Sequence, residues 1–209
     1  MGLPTTIEQI VWSAGQLVVT SYVALMGIAL LAVHQVFLRI QGVLSMFYLG
    51  FGLAAMTYMG KHVGANQHMA AEHTGKITHR IVFIFGTVIL ILMMIFSSTL
   101  LHLFIRKEDA LIADHSFRIV FWVFALVQVP KAMNTVIAGS LRGAGDIQWI
   151  MWTNIFAVFI LEIGANWIGT AFFHFGLLGI WLIQMIDEVV KSNVNYFRFR
   201  GGKWKLIRL

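Results

Sequence analysis

Val136-Ile-Ala-Gly-Ser-Leu-Arg-Gly-Ala-Gly-Asp-Ile-Gln-Trp149 falls where one very apolar stretch ends and the next begins. Gly143 and Gly145 have the character of a helix C-terminus, and Asp146 stands where it could cap the helix that follows. With long apolar runs on both sides, this turn reads as a loop at a membrane surface between two membrane-crossing helices. Arg142 is placed to meet helix-terminal carbonyls. Arg142, Gly143, Gly145 and Asp146 are therefore expected to form a hinge and gate latch at the cytoplasmic face, with no chemistry of their own.

The runs on either side of the turn fit this reading. From Gln9 to Leu38 there are 30 residues without Asp, Glu, Lys or Arg, from Ile40 to Gly60 there are 21, and from Ile81 to Ile105 there are 25. About 20 helical residues suffice to cross a hydrocarbon core. These runs lack the polar stripe that a buried helix of a soluble protein shows at every turn. Apolar residues make up 59% of the chain and charged residues 11%, so an ordinary soluble domain is excluded. The fold class is all-α integral membrane. Reading outward from the gaps predicts helices at roughly 6–31, 35–59, 80–104, 114–140, 147–172 and 177–198, a single six-helix lobe over 1–209. Because Met1-Gly-Leu-Pro-Thr-Thr6 lacks a basic n-region and a small-residue cleavage site, the first run reads as a retained helix.

An even number of spans puts both termini on one side. Lys61, Lys76, Arg80, Arg142 and the tail residues Arg198, Arg200, Lys203, Lys205 and Arg208 fall on that side. The other side holds Arg106 and Lys107, offset by Glu108 and Asp109. The positive-inside rule then predicts cytoplasmic termini and a multi-pass protein of the plasma (inner) membrane. The net charge of +6 thus reports topology, and no nucleic-acid partner is expected. Aromatic and basic residues alternate in the tail, a composition suited to pinning a helix end to anionic headgroups.

With no cysteine, a disulfide framework or a thiolate metal site is impossible. His62, His68, His73 and His79 lie six, five and six residues apart, so a helix does not gather them on one face. No metal is expected there, and the polar stretch Lys61–Lys76 reads as a loop carrying a short interfacial helix. No nucleophile–base pairing with workable spacing lies inside the spans, so neither an enzyme nor a cofactor is expected.

Charges inside spans are expensive and mark candidate pathway residues. Arg39 and Arg118 lie near the outer surface and can snorkel. Lys131 stands mid-span one residue after Pro130, which removes a backbone donor and is expected to kink the fourth helix. Asn134 lies one turn on. Glu162 is about 15 residues into the fifth helix, in the outer half of the bilayer by helical rise. Asp187 is near the middle of the sixth helix and has Lys191 at i+4 as its natural partner. Glu8 lies in the first turns of the first helix.

Gly139-Ser-Leu-Arg-Gly-Ala-Gly-Asp146, Ala32-Val-His-Gln35, Val63-Gly-Ala-Asn-Gln67, Gly176-Leu-Leu-Gly-Ile-Trp181 and Gly202-Lys-Trp204 are five short stretches at telling intervals along the chain. Together they resemble the multidrug and toxic compound extrusion (MATE) transporters, in particular the second of their two six-helix lobes. The resemblance runs along essentially the whole chain. It implies a half-transporter that exports cationic, drug-like small molecules in exchange for Na+ or H+, the ion being coupled rather than held as a cofactor. The expected partners are the lipid membrane and either a complementary six-helix lobe or a second copy of the chain. An assembly partner without transport of its own, or a six-span homodimeric transporter, is the alternative. Glu8, Gln35, Lys131, Asn134, Glu162 and Asp187 are the expected substrate and ion pathway. One departure stands out: sodium-coupled members carry an acidic residue eight positions before the signature glycine, where this chain has Lys131. Their acidic residue deep in the first helix would align near Trp12, leaving Glu8 a turn away.

Overall fold

In hydrocarbon no water satisfies backbone N–H and C=O groups, and a helix satisfies them internally, so these apolar runs fold as helices. A computed structural model describes residues 2–99 and 115–207. Among them, six long helices follow in order: α1 (Gly2–Leu25), α2 (Ile28–Gly64), α3 (His68–Ile95), α4 (His115–Gly143), α5 (Ile147–Ala171) and α6 (Leu177–Arg200). A short 3₁₀ turn follows at Lys203–Leu206. No strand occurs among the described residues. Helices α2 to α5 are long and apolar enough to cross a membrane by length and composition alone. α6 is less apolar because it carries Asp187, Glu188, Lys191, Arg198 and Arg200, the first three of them buried within the bundle.

Three boundaries differ from the sequence expectation. The break between the first two helices falls at Met26–Gly27 and not between residues 31 and 35, because Gly27 adopts a φ of 117° that favours glycine over any other residue. The polar stretch after the second span is not a loop with a separate interfacial helix. α2 continues to Gly64, Asn66 turns the chain at a φ of 57°, and α3 begins at His68. A polar helix end meets no obstacle once it leaves the hydrocarbon, and 37 residues make α2 about 55 Å long, well beyond the apolar core. α4 remains helical through Pro130. α3 ends at Ile95, with Phe96 closing it, short of the expected 104; residues 100–104 and the Arg106–Asp109 turn lie outside the described residues.

α4 is the central helix, packed against α2, α3 and α6, while α1 lies against α5. α2, α4 and α6 run in the same direction. At one end, Phe37 of α2 stacks on Phe124 of α4 at 4.7 Å, and Trp181 of α6 meets Phe124 edge-on at 4.9 Å. At the other end, Met59, Leu141 and Phe199 of the same three helices share a second core with Trp204, whose indole N–H donates to the Phe199 carbonyl at 2.8 Å.

Between α2 and α4 the backbones nearly touch. A Cβ at Gly139 would collide with the backbone of Gly52, and one at Gly143 with the backbone of Met56. Gly139 and Gly143 are four residues apart, the small-xxx-small spacing that lets membrane helices approach closely. The signature glycines thus act first as a packing seam. Gly145, with a φ of 88°, makes the turn itself. Large apolar residues cover the outward faces, including Phe47 and Leu53 on α2, Ile84 on α3 and Phe159 and Ile160 on α5. Such a surface suits lipid rather than water.

Candidate functional site

α6 presents Glu188, Lys191, Asn195 and Arg198 at spacings of three, four and three residues, one stripe of a helix. The stripe faces α4 and α5, and it organises nearly every charged residue inside the bundle.

Lys131 of α4 meets Glu188 Oε1 at 3.0 Å, and the Asn134 amide donates to Glu188 Oε2 at 3.0 Å. The Asn195 amide donates to the side-chain Oδ1 of Asn134 at 3.0 Å, and its Oδ1 accepts from the Trp149 indole N–H at 3.2 Å. One helical turn further, Arg198 lies over the Trp149 ring at 4.5 Å and reaches both oxygens of Asp146, at 2.7 and 3.3 Å. Lys191 pairs with Asp187 at 2.5 Å and stands 3.7 Å from both Glu162 and Glu188. Glu162 Oε2 accepts from the Gln16 amide of α1 at 3.1 Å.

Glu162 reaches this position through a local change of helix type. Residues Val158–Ala165 of α5 form a π-helical segment, wider than the flanking α-helix, and the buried Asn166 amide donates to the Glu162 carbonyl at 2.7 Å. Gly15 of α1 clears the space opposite, since a Cβ there would lie 3.1 Å from Glu162 Oε2 and closer still to Val158.

A second group ties α1 to the end of α4. Glu8 Oε1 accepts from Arg142 and from the Asn154 amide, each at 2.5 Å. A cavity of about 300 Å³ runs between the two groups, lined by Glu8, Trp12, Lys131, Asn134, Arg142 and Glu188 among others.

Among the expected pathway residues, the structure brings Lys131, Asn134, Glu162 and Asp187 into one network around α6 and sets Glu8 at the other end of the same cavity. Gln35 does not join them: it lies on the exposed face of α2, and its neighbour His34 is the buried one, packed on Trp181 at 5.6 Å. Arg142 does not bond helix-terminal carbonyls but pairs with Glu8, a charged partner that outbids a carbonyl dipole. Asp146 stands at the N-terminus of α5 without a capping hydrogen bond, because both its oxygens are engaged by Arg198. Glu188, Gln16, Asn154, Asn195 and Arg198 join the site without being among the residues expected there. The three-four-three stripe on α6 is the sequence signal for Glu188, Asn195 and Arg198; Gln16 and Asn154 carry none.

The described residues thus form a helical bundle with apolar outer faces and with its charges gathered along one inner wall. The MatE family model matches residues 4–168, and the chain belongs to that family. Over 98% of its length it is 29% identical to the uncharacterised transporter YisQ of Bacillus subtilis (strain 168), of which it covers 44%. Over 98% it is 24% identical to a probable multidrug resistance protein NorM of Thermotoga maritima, again covering 44% of that protein. Its fold matches that of a multidrug resistance MATE family transporter of the MOP superfamily in the outward-facing conformation, with a TM-score of 0.84, 21% identity, and coverage of 93% of this chain and 42% of that one. The chain therefore spans less than half the length of these relatives. The names of these relatives describe transporters or multidrug resistance proteins, and the chain shares their family and their all-helical fold.

Proposed function

We propose that the chain forms one lobe of an efflux antiporter that exports cationic organic compounds in exchange for Na+ or H+, with both termini cytoplasmic in the plasma membrane. The observation that carries this reading is the lined cavity. It holds carboxylates already balanced against cationic groups, Glu8 with Arg142 and Glu188 with Lys131, beside the aromatic ring of Trp12. An aromatic surface flanked by exchangeable ion pairs suits an organic cation, which a ring face attracts and a carboxylate can neutralise. A cavity bounded by one lobe has a single wall, and parallel repeats of this kind rock against each other around a shared central site. A complementary six-helix lobe supplies the facing wall, a second copy of this chain being the alternative.

Reconstituted alone in vesicles, the chain is expected to show no gradient-driven export of ethidium. Joined to the first six-helix lobe of a MatE relative, it is expected to give export that collapses with the sodium or proton gradient. Robust export by the chain alone overturns the two-lobe arrangement in favour of a homodimer. A correctly inserted joined form that exports nothing overturns the transporter reading.

A further inference from the structure

The network around α6 is not balanced. Glu162, Asp187 and Glu188 bring three carboxylates to two ammonium groups, Lys131 and Lys191. All five side chains are largely or fully buried, with Glu162 and Asp187 at 1% and 0% exposure. Among the described residues, the neighbours on other helices do not supply the missing positive charge: α1 contributes the neutral Gln16, and α4 contributes Asn134 besides Lys131. Glu8 and Arg142 neutralise each other further along the cavity. Glu188 is satisfied by Lys131 and Asn134. Asp187 is not: beyond its ion pair with Lys191, neither oxygen accepts a hydrogen bond from a described residue, and Glu162 Oε1 is likewise without one. An unbalanced negative charge in a low-dielectric interior is costly and is relieved by binding one positive charge.

We propose that Glu162 and Asp187, gathered around Lys191, hold one exchangeable proton. The proton adds to a carboxylate oxygen of one of these residues, the cluster becomes neutral, and no other bond forms or breaks. A metal ion is the poorer occupant, because the Lys191 ammonium already stands among the carboxylates. Exchange runs through the cavity, whose lining includes Glu188 and Lys191, with Lys191 within 4 Å of all three carboxylates. The π-helical segment supports this assignment independently of the charge count. Such segments are frequent at functional sites, and this one carries Glu162 towards α6. The proton's service as the coupling ion rests on the transporter reading; its presence at this site does not.

The test is infrared spectroscopy of the full chain in lipid, titrated through neutral pH in choline chloride and in sodium chloride. A carboxylic-acid carbonyl band is expected at neutral pH in both salts, lost on alkalinisation with the amplitude of one proton. Glu162→Gln or Asp187→Asn should abolish the band, because either leaves two carboxylates for two ammonium groups, while Glu8→Gln should leave it unchanged. Labelling the unsubstituted chain with carboxyl-13C aspartate or glutamate assigns the band even where a variant does not fold. No carboxylic-acid band at neutral pH, or one that survives both substitutions, overturns the proposal. Loss of the band in sodium but not in choline overturns the proton in favour of a sodium ion. Failure of dye export with the band present would sink only the transporter reading.

Discussion

The α2–α4 seam and the α6 network hold the same central helix from two sides by opposite means. On the seam side, Gly139 and Gly143 bring backbone against the backbones of Gly52 and Met56, with no side chain between them. On the other side, Lys131 and Asn134 of the same helix meet α6 through charge and hydrogen bonds, with a cavity alongside. Dispersion across a close seam has no alternative arrangement, since any separation simply forfeits it. Ion pairs beside a cavity can be exchanged for water, a proton or a ligand. The difference makes α2–α4 the close-packed frame of the lobe and α4–α6 its charged, cavity-lining wall.

The strongest way to break this division is to remove Glu188. It holds both Lys131 and Asn134, so Glu188→Ala leaves a buried ammonium without its partner. Breaking a buried pair from one side costs about 3–5 kcal/mol. A large drop in the thermal midpoint of the detergent-solubilised chain is expected, partly restored when Lys131→Met is added. If Glu188→Ala is as stable as the parent, the network is solvated and the α4–α6 wall is not held by charge.

The seam should respond differently. Gly143→Val forces a branched side chain into the Met56 backbone, and overpacking of this kind costs about 1–3 kcal/mol. Gly42→Ala on α2 is the matched control, because a Cβ there meets nothing within 4 Å. It should stabilise by up to about 1 kcal/mol through helix propensity alone. Opposite signs at the two glycines, measured by thermal unfolding, support a close-packed seam. Equal and small effects would show that α2 and α4 can separate without penalty.

The turn that follows the seam is legible in the sequence. Gly143 and Gly145 read there as a helix end and turn, which they form, whereas the close approach of Gly139 and Gly143 to α2 shows only in the packed helices. The Asp187–Lys191 pair is also legible, since i+4 neighbours on a helix meet whatever the fold. The partners of Lys131 and Arg142 are not. Lys131 and Glu188 are 57 residues apart and Arg142 and Glu8 are 134 apart, separations at which only the packing of whole helices decides who meets whom. Glu188 is also masked by Asp187 beside it: consecutive helical positions point about 100° apart, so the carboxylate with the obvious local partner hides the one reaching α4. The π-helical segment carries no signal, because Val158–Ala165 reads as ordinary apolar helix. The position of the first turn rests on Gly27 alone, within an unbroken apolar run.

A third set of charges, outside both regions, gives the scale against which the network is judged. Glu72, near the start of α3, pairs with Lys76 on its own helix and with Lys205 of the C-terminal turn, each at 2.5 Å. These distances are as short as any in the α6 network, yet the Glu72 side chain is 33% exposed and that of Lys76 64%. Water solvates such charges whether or not they pair, so the net worth of the contacts is about 0–1 kcal/mol in spite of their geometry. Glu72→Gln should therefore move the thermal midpoint only slightly, and raising the salt from about 0.1 M to 1 M should erase even that difference as the Debye length falls from about 10 to 3 Å. The effect of Glu188→Ala, inside the bundle, should largely persist in high salt, because salt screens buried pairs far less than exposed ones. The two variants measured together separate distance from burial as the source of strength. If Glu72→Gln proved as destabilising as Glu188→Ala, and equally insensitive to salt, the C-terminal turn would be a structural clamp on α3. The contrast between the buried charged wall and a solvated surface would then fail.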